Sequence, residues 1–518
     1  MLFIVYYYDR HELFGGGVYR LVATNNPEFP RDSVWDAYNM VYERSKTDLE
    51  KMKGYTQLGT NTVGDVVSGL FDYAEGTKMV ATSEDGGVYI RTTGDWSAAT
   101  EGGAGTFSTV NNTRWSGTMF YGATTAADIL IICNGVNAPQ KFVTSTVSAL
   151  GGSPPSTGKF PTTFNGRLWM ASGDTLYYSA ADNAEDWSSA GGSFQIDRGS
   201  GPINGLYNFA GNLIIFKRNK ILRMLPGTTL ASTSVRDLTS IVGASSHHTI
   251  KETTGTYRSG SLMFESDEGI QEIVPTSSTG GFFVRSMAEG IKPILDSRDV
   301  TNRATNWAEY NPSRGEYWLQ YTLNGPHPDA GVIGNVARDR GAARWTTHDM
   351  RGKTAGMMYL DSSAGNIQVM GDSSGKVYQM HSTDSRNDAG FRGFLTTASF
   401  VQGDRSRMKK YGRVYIDAET DGTYPLQLLT MLGRSELPSP HGQTNQPSGF
   451  GSLDGWGVGL WGKASWGGST VPGKWVRPGN VLRGTYMRVT VLTLGAEQWF
   501  RLNGLQIEYS MRRHILAA

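Results

Sequence analysis

The sequence predicts an all-β chain: a six- or seven-bladed β-propeller followed by a C-terminal antiparallel, β-sandwich-like domain. Three observations predict it. A hairpin pattern recurs, in its clearest copy as Gly211 to Leu225, where the apolar runs Leu-Ile-Ile-Phe and Ile-Leu-Arg-Met-Leu flank the polar turn Arg-Asn-Lys. The composition is rich in turn residues, with 66 Gly, and low in charge, at 18% against the usual ~25%. Comparable apolar positions, Val88, Leu176, Ile221, Ile270 and Val377, return at intervals near those of propeller blades, if one or two intervals hold an extra unit. Because a lone hairpin cannot bury enough surface to be stable in water, several must share a core. Radial stacking does this and leaves only short edges. The competing architecture is a sandwich, or a pair of sandwiches, built from similar hairpins.

In chain order, residues 1–66 read as an N-terminal arm with strands. Residues 2–8 and Val18 to Thr24 are the first candidates, broken by Gly15 to Gly17, and the earliest strand needs a distant partner in the last blade or the C-terminal sheet. Ser33 to Met52 leaves helix and strand open: Ser33 followed by Asp36 resembles a helix start, and Trp35, Tyr38 and Tyr42 fall roughly on one helical face. Residues 67–390 hold the propeller. Further hairpins are read at Lys78 to Thr92, Arg167 to Ser179, Ser261 to Val274 and Asn366 to Met380, with weaker copies at Ile129 to Val143 and Glu316 to Trp345. Within the last of these, Pro326 to Arg344 reads as an inserted loop. Gly-Asp-Trp-Ser (Gly94 to Ser97) and Glu-Asp-Trp-Ser (Glu185 to Ser188) read as edge packing with turn hydrogen bonds. The polar run from Asp384 to Gly393 marks a boundary.

Residues 391–518 form the second β domain. Strands are expected at Leu395 to Gln402, Tyr411 to Ala418, Leu426 to Leu432, Met487 to Leu494 and Trp499 to Tyr509. The Gly- and Trp-rich loop 433–480 between the third and fourth is too long for an ordinary connection. It carries Trp456, Trp461, Trp466 and Trp475, candidates either for packing on their own domain or for anchoring a partner.

Net charge is +1, from 48 basic and 47 acidic residues, so nothing global points to nucleic acid or an anionic membrane. Two basic clusters, Lys217, Arg218, Lys220 and Arg223, and Arg405, Arg407, Lys409, Lys410 and Arg413, read by default as solvated faces; the alternative is contact with acidic partners or phosphates, which places the second at a protein junction. The single cysteine, Cys133, excludes an internal disulfide and reads as a small buried hydrophobe. The N-terminal run is too short and Tyr-rich for a signal peptide, and no stretch approaches the ~20 apolar residues of a membrane helix.

Catalytic strings resolve into structural ones. Gly-Asp-Ser-Ser-Gly (Gly371 to Gly375) matches a nucleophile elbow but joins two strands where the elbow needs a strand and a helix. Gly352 to Thr354 lacks the first phosphate-loop glycine, and Gly199 to Asn204 has Asn in place of the third dinucleotide glycine. Ser83, Asp85 and Gly87 give one copy of a sialidase-type turn. The eight histidines lack metal-site spacing, and His247 and His248 are expected on opposite faces of a strand. No catalytic, cofactor or metal site, and no enzymatic activity, is expected.

Segments in order, Trp35 to Glu43, Lys51 to Tyr55, Val67 to Tyr73, Phe164 to Trp169 and Gly201 to Lys217, resemble the tail nozzle or hub (head-to-tail connector) proteins of short-tailed bacteriophages over roughly residues 33–390. The resemblance implies a structural virion protein, made in the host cytoplasm and built into the tail. It implies a ring of six copies below the portal and its adaptor, which extends and closes the DNA-ejection channel. Implied partners are further copies of the chain, tail adaptor proteins, tail fibres or a tail needle, and viral DNA passing without sequence-specific binding. Trp456, Trp461, Trp466, Trp475, Arg405, Arg407, Lys409 and Lys410 are the candidate interface residues. The alternatives are a glycan-binding or glycan-cleaving tail protein whose tryptophans stack on sugars, and a stopper or fibre-attachment protein elsewhere in the virion.

Overall fold

The computed structural model describes residues 7–511 apart from 12–13, 15, 25, 43–47, 102–106, 110–111, 123–127, 226–233, 254–259, 277–280, 337–342, 402–406, 421–425, 434–442, 446–473, 477–481, 494 and 496–497. The hairpin at Gly211 shows how the sequence builds it. Asn212–Phe216 pairs with Ile221–Leu225 in the register Leu213↔Met224 to Phe216↔Ile221. Because side chains alternate faces along a strand, Leu213, Ile215, Leu222 and Met224 fall on one side and pack with Trp169 and Leu176. Ile214, Phe216 and Ile221 fall on the other and pack with Leu262, Phe264 and Ile273. Each sheet is thus apolar on both faces and shares a core with the sheet before it and the sheet after it.

Six separate four-stranded antiparallel sheets are built this way, and a seventh four-strand group forms one end of a ten-stranded sheet. In chain order their first strands are Val67–Tyr73, Ser116–Phe120, Lys159–Phe164, Gly205–Phe209, Lys251–Thr253, Trp307–Asn311 and Lys353–Asp361. Neighbouring units share apolar clusters throughout, and the seventh unit packs on the first: Ala355, Met357 and Val369 join Val67, Leu70 and Met79. The fold is therefore all-β, an array of small antiparallel sheets in a propeller-like arrangement. Val88, Leu176, Ile221, Ile270 and Val377 are all buried.

The N-terminal segment stitches the array. Tyr55–Gln57 is the fourth strand of the seventh unit, paired with Val377–Met380. Ser33–Tyr38 bridges two regions: it touches Arg344–His348, the last strand of the sixth unit, in parallel and pairs with Gly393–Thr397 antiparallel. The ten-stranded sheet runs through this strand into Tyr486–Thr493 and Gln427–Gly433. Against it packs a seven-stranded sheet built on Lys409–Thr420 and Phe500–Met511, which also takes Tyr7–His11 and Leu49–Lys51. A ladder of charges crosses this junction: Arg501 donates to Glu419 at 3.3 Å and to Glu50 at 3.0 Å, and Arg314 to Glu50 at 3.1 Å and to buried Glu316 at 2.8 Å. Each carboxylate of this ladder has a cationic partner, as burial requires.

The structure decides several expectations. The described residues of Ser33 to Met52 contain no helix and form the strands Ser33–Tyr38, Met40–Tyr42 and Leu49–Lys51. The first described strand begins at Tyr7, and Val18 belongs to the two-residue strand Gly17–Val18. The earliest strand does find a C-terminal partner, with Tyr7 opposite Tyr509. Pro326 to Arg344 is not simply a loop; it contains Ala330–Asn335, the third strand of the sixth unit. The loop 433–480 contributes Gln443–Asn445 and Lys474–Val476 to the two large sheets.

Two predictions follow from the seams. Glu265, 0% exposed, accepts from the guanidinium of Arg298, 3% exposed, and from Asn306 Nδ2 at 2.9 and 3.0 Å. Glu265→Ala strands a buried cation and is expected to cost ~3–5 kcal/mol in urea unfolding, whereas Glu265→Leu with Arg298→Met recovers most of it. At the seam of the seventh unit, a Cβ on Gly54 would lie 1.8 Å from the carbonyl oxygen of Ser385. Gly54→Ala is expected to cost ~1–3 kcal/mol and lower the thermal midpoint.

Candidate functional site

The first strands of all seven units line one cavity of about 520 Å³. Small residues make the room: a Cβ on Gly117 would meet the Phe71 ring at 2.7 Å, and one on Gly356 would meet Trp307 at 2.3 Å. The wall is polar where the chain enters these strands. Arg114 precedes the second unit's first strand, and its guanidinium lies 6.0 Å from the centre of the Trp307 ring. Burial pulls the Arg114 pKa down to about 9, against an opposing pull from Glu84. Lys251 and Glu309 form an ion pair at 2.8 Å. Tyr207 is pushed up to about 12, chiefly by burial.

His247 and His248 occupy a 3₁₀ turn, His247–Thr249, not a strand. Ser246 caps it: its Oγ accepts from the His248 amide at 3.3 Å and donates to the Asn306 carbonyl at 2.8 Å. The turn places both imidazoles on the cavity, 5.4 Å apart and near perpendicular, with Phe160 4.6 Å from His247. Burial drives His247 down to about 3 and His248 well below its ordinary range, so both rings are neutral at physiological pH. The pairing of a Ser cap with the two histidines was the available sequence signal. Beside this end of the cavity, Glu84 accepts from the Asn112 amide at 3.2 Å, and His327 Nδ1 lies 4.0 Å away. Burial raises the Glu84 carboxyl to about 7.

The described lining of the cavity includes none of the predicted interface residues. Trp456, Trp461, Trp466 and Arg405 lie outside the described residues. Trp475 is half-buried on its own sheet, 5.2 Å from the Tyr415 ring and 5.8 Å from Tyr8, under the guanidinium of Arg413 at 4.9 Å. Lys409 is 1% exposed and donates to the carbonyl of Thr485 at 3.0 Å. Strand alternation points it inward while Lys410 is half-buried, and Arg407 is exposed. The other basic cluster is no solvated face. Lys217 is buried and donates to the carbonyls of Ile196, Asp197 and Gly201 at 2.7, 2.9 and 2.8 Å. Lys220 pairs with Asp197 and Asp237, and Arg218 with Asp267.

The remaining strings are structural. Gly371 to Gly375 lies in a hairpin turn whose Asp372 accepts from the Ser374 and Lys376 amides at 2.9 and 3.0 Å. Thr354 donates to the Val67 carbonyl at 2.6 Å. Trp96 and Trp187 are buried at unit edges, donating to the carbonyls of Leu58 and Ala184. Cys133 is buried among Ile131, Leu168 and Met170. Among the described residues no group of three His, Cys, Asp or Glu could hold a metal ion, and no helix is long and apolar enough to cross a membrane.

No family model matches the chain, and no curated protein is significantly similar to it. Solved structures share it only loosely. A computationally designed protein, Ika8, is similar at TM-score 0.36 and 11% identity over 63% of this chain and 99% of that one. The extracellular domain of a one-component-system candidate, BT4673, of B. thetaiotaomicron is similar at TM-score 0.41 and 11% identity, over 83% of this chain and 48% of that one. A chain of the mitotic checkpoint complex gives 0.38 and 11% over 70% and 99%. Likeness at this level says nothing about function.

Glu84 gives the cavity end a pH signature. A carboxyl raised on folding from 4.5 to about 7 binds its proton more tightly in the native state, so stability falls as pH rises through that window. Glu84→Gln is expected to match the wild type near pH ~4 and exceed it by ~2–3 kcal/mol near pH ~8. Urea unfolding of both proteins across that range checks it.

Proposed function

We propose that the chain is a structural virion protein, the nozzle or hub ring of a short-tailed phage tail, whose role in extending and closing the DNA-ejection channel is mechanical, without catalysis. The finer fold reading goes with it: a seven-bladed β-propeller closed by Tyr55–Gln57, carrying a C-terminal β-sandwich-like domain. Supporting seven blades are the seven first strands around one cavity and the packing of the seventh unit on the first. The observation that carries the function is the ordered series of nozzle-like segments. Trp35 to Glu43, Lys51 to Tyr55 and Val67 to Tyr73 fall at the seams that join the chain's early strands to its last units. Phe164 to Trp169 and Gly201 to Lys217 fall in the hairpins of the third and fourth units.

A body with shared cores on both faces of every sheet suits a channel component, because load spreads across many packed seams. In this reading the ring contacts are made by the exposed loops and by the C-terminal domain, with Trp456, Trp461 and Trp466 as anchors and Arg407 and Lys410 at an adaptor junction. Trp475, held by Tyr8, Tyr415 and Arg413, serves to fix the base of that loop.

Imaging of the assembled particle tests the proposal: six copies are expected on the tail axis, in a closed ring beyond the portal. Virions that lack the polypeptide, or that hold it as a single copy away from the axis, overturn it.

A further inference from the structure

A second chamber of about 320 Å³ opens between the second, third, fourth and fifth units and shares Arg114, His247 and His248 with the central cavity. Its described wall contains two cations, Arg114 and Lys159, and no Asp or Glu. Three donors or acceptors in that wall lack any described hydrogen-bond partner: Arg114 Nε, Asn134 Nδ2 and His247 Nδ1. Asn134 is 2% exposed, and its other amide atom is committed, accepting from the Val136 and Asn137 amides at 3.0 and 2.9 Å. Its Nδ2 is thus held in place with nothing to donate to. Lys159 is exposed at the chamber wall. Its stem lies across Gly135, where an added Cβ would come 1.9 Å from Cε.

A buried polar group without a partner is costly, and a buried cation more so. Arg298, Arg314 and Lys217 meet that cost with hydrogen-bond partners. Arg114, half-buried with its Nε enclosed, makes no described ion pair or hydrogen bond. The carboxylate that influences it, Glu84, makes no ion pair with it and itself holds its proton to about 7. An oxyanion in the chamber would satisfy these groups together: it would compensate Arg114 and Lys159 and accept from Asn134. Charge-assisted bonds of this kind are the stronger class. Neutral His247 adds a polar edge without a further charge.

We propose that this chamber binds the oxyanion of a small molecule, a phosphate or a carboxylate, between Arg114 and Lys159, with Asn134 as a hydrogen-bond donor. The chamber admits a group with a modest organic body, since its volume falls within the range of ligand pockets.

Calorimetric titration of the full-length chain with inorganic phosphate, with glucuronate and with uncharged glucose tests this. Expected is one-to-one binding of phosphate or glucuronate at millimolar or lower concentration, none of glucose, and about tenfold weaker binding in Arg114→Gln and in Lys159→Gln. Arg351→Gln, at an exposed residue outside the chamber lining, is expected to bind as the wild type does. Preference for phosphate assigns a phosphate-bearing ligand, and preference for glucuronate a carboxylate-bearing one. Thermal unfolding supplies a second reading. Arg114→Gln is expected to be at least as stable as the wild type without anion, and to lose the rise in Tm that the anion gives the wild type. Absence of binding by both anions, or binding unaltered in both chamber variants, overturns the proposal.

Discussion

The constraint on which the structure depends is that none of its small sheets can stand alone. Four short strands, apolar on both faces and with no covering helix, must be flanked on each side. The hairpin at 212–225 displays this directly, with Leu213 and Ile214 serving two different neighbours. A row of such sheets would leave its two end faces bare. Here the last unit meets the first, and a strand from the N-terminal segment completes the last unit. The same logic governs the polar groups. Charges buried where units meet, such as Glu265 and Arg298, or Glu50 between Arg314 and Arg501, are neutralised within the seam.

The hairpins were legible because both of their signals are local: alternation within each strand and a Gly, Asp or Asn turn between strands. Two segments were not legible, for reasons of packing. Ser33–Tyr38 carries an irregularity in register between Val34 and Asp36, which breaks the alternation and leaves Trp35 under the guanidinium of Arg20, 4.2 Å from its centre. A bulged strand next to aromatic residues spaced three and four apart imitates a helix. Ala330–Asn335 reads as loop because of Gly331 and Gly334. There a Cβ would meet the ring of His348 at 2.3 Å and that of Trp345 at 2.6 Å. Those glycines make space for rings from the neighbouring strand.

The cavity could not be read from the chain at all. Arg114, Tyr207, His247 and Glu309 come from four different units, and no spacing in sequence announces their meeting. Only His247 and His248 are adjacent, and their geometry hangs on the Ser246 cap. Cationic clusters in sequence proved a poor guide to surface. Lys217 and Lys409 are buried structural residues, whereas Arg114, whose Nε has no described hydrogen-bond partner, stands by itself in the chain.

The pairing of early strands with late ones also sets the order of events on the ribosome. Tyr55 pairs with Met380, and Tyr7 with Tyr509, so these early strands wait for the synthesis of far later segments before their partners exist. At ordinary elongation rates that interval is roughly tens of seconds. Through it, the open edges of Ser33–Tyr38 and Tyr55–Gln57 are available to nascent copies of the same chain on one polysome. Synthesis of this protein therefore calls for holdase capacity in proportion to its expression, a demand created by topology and independent of how stable the finished molecule is.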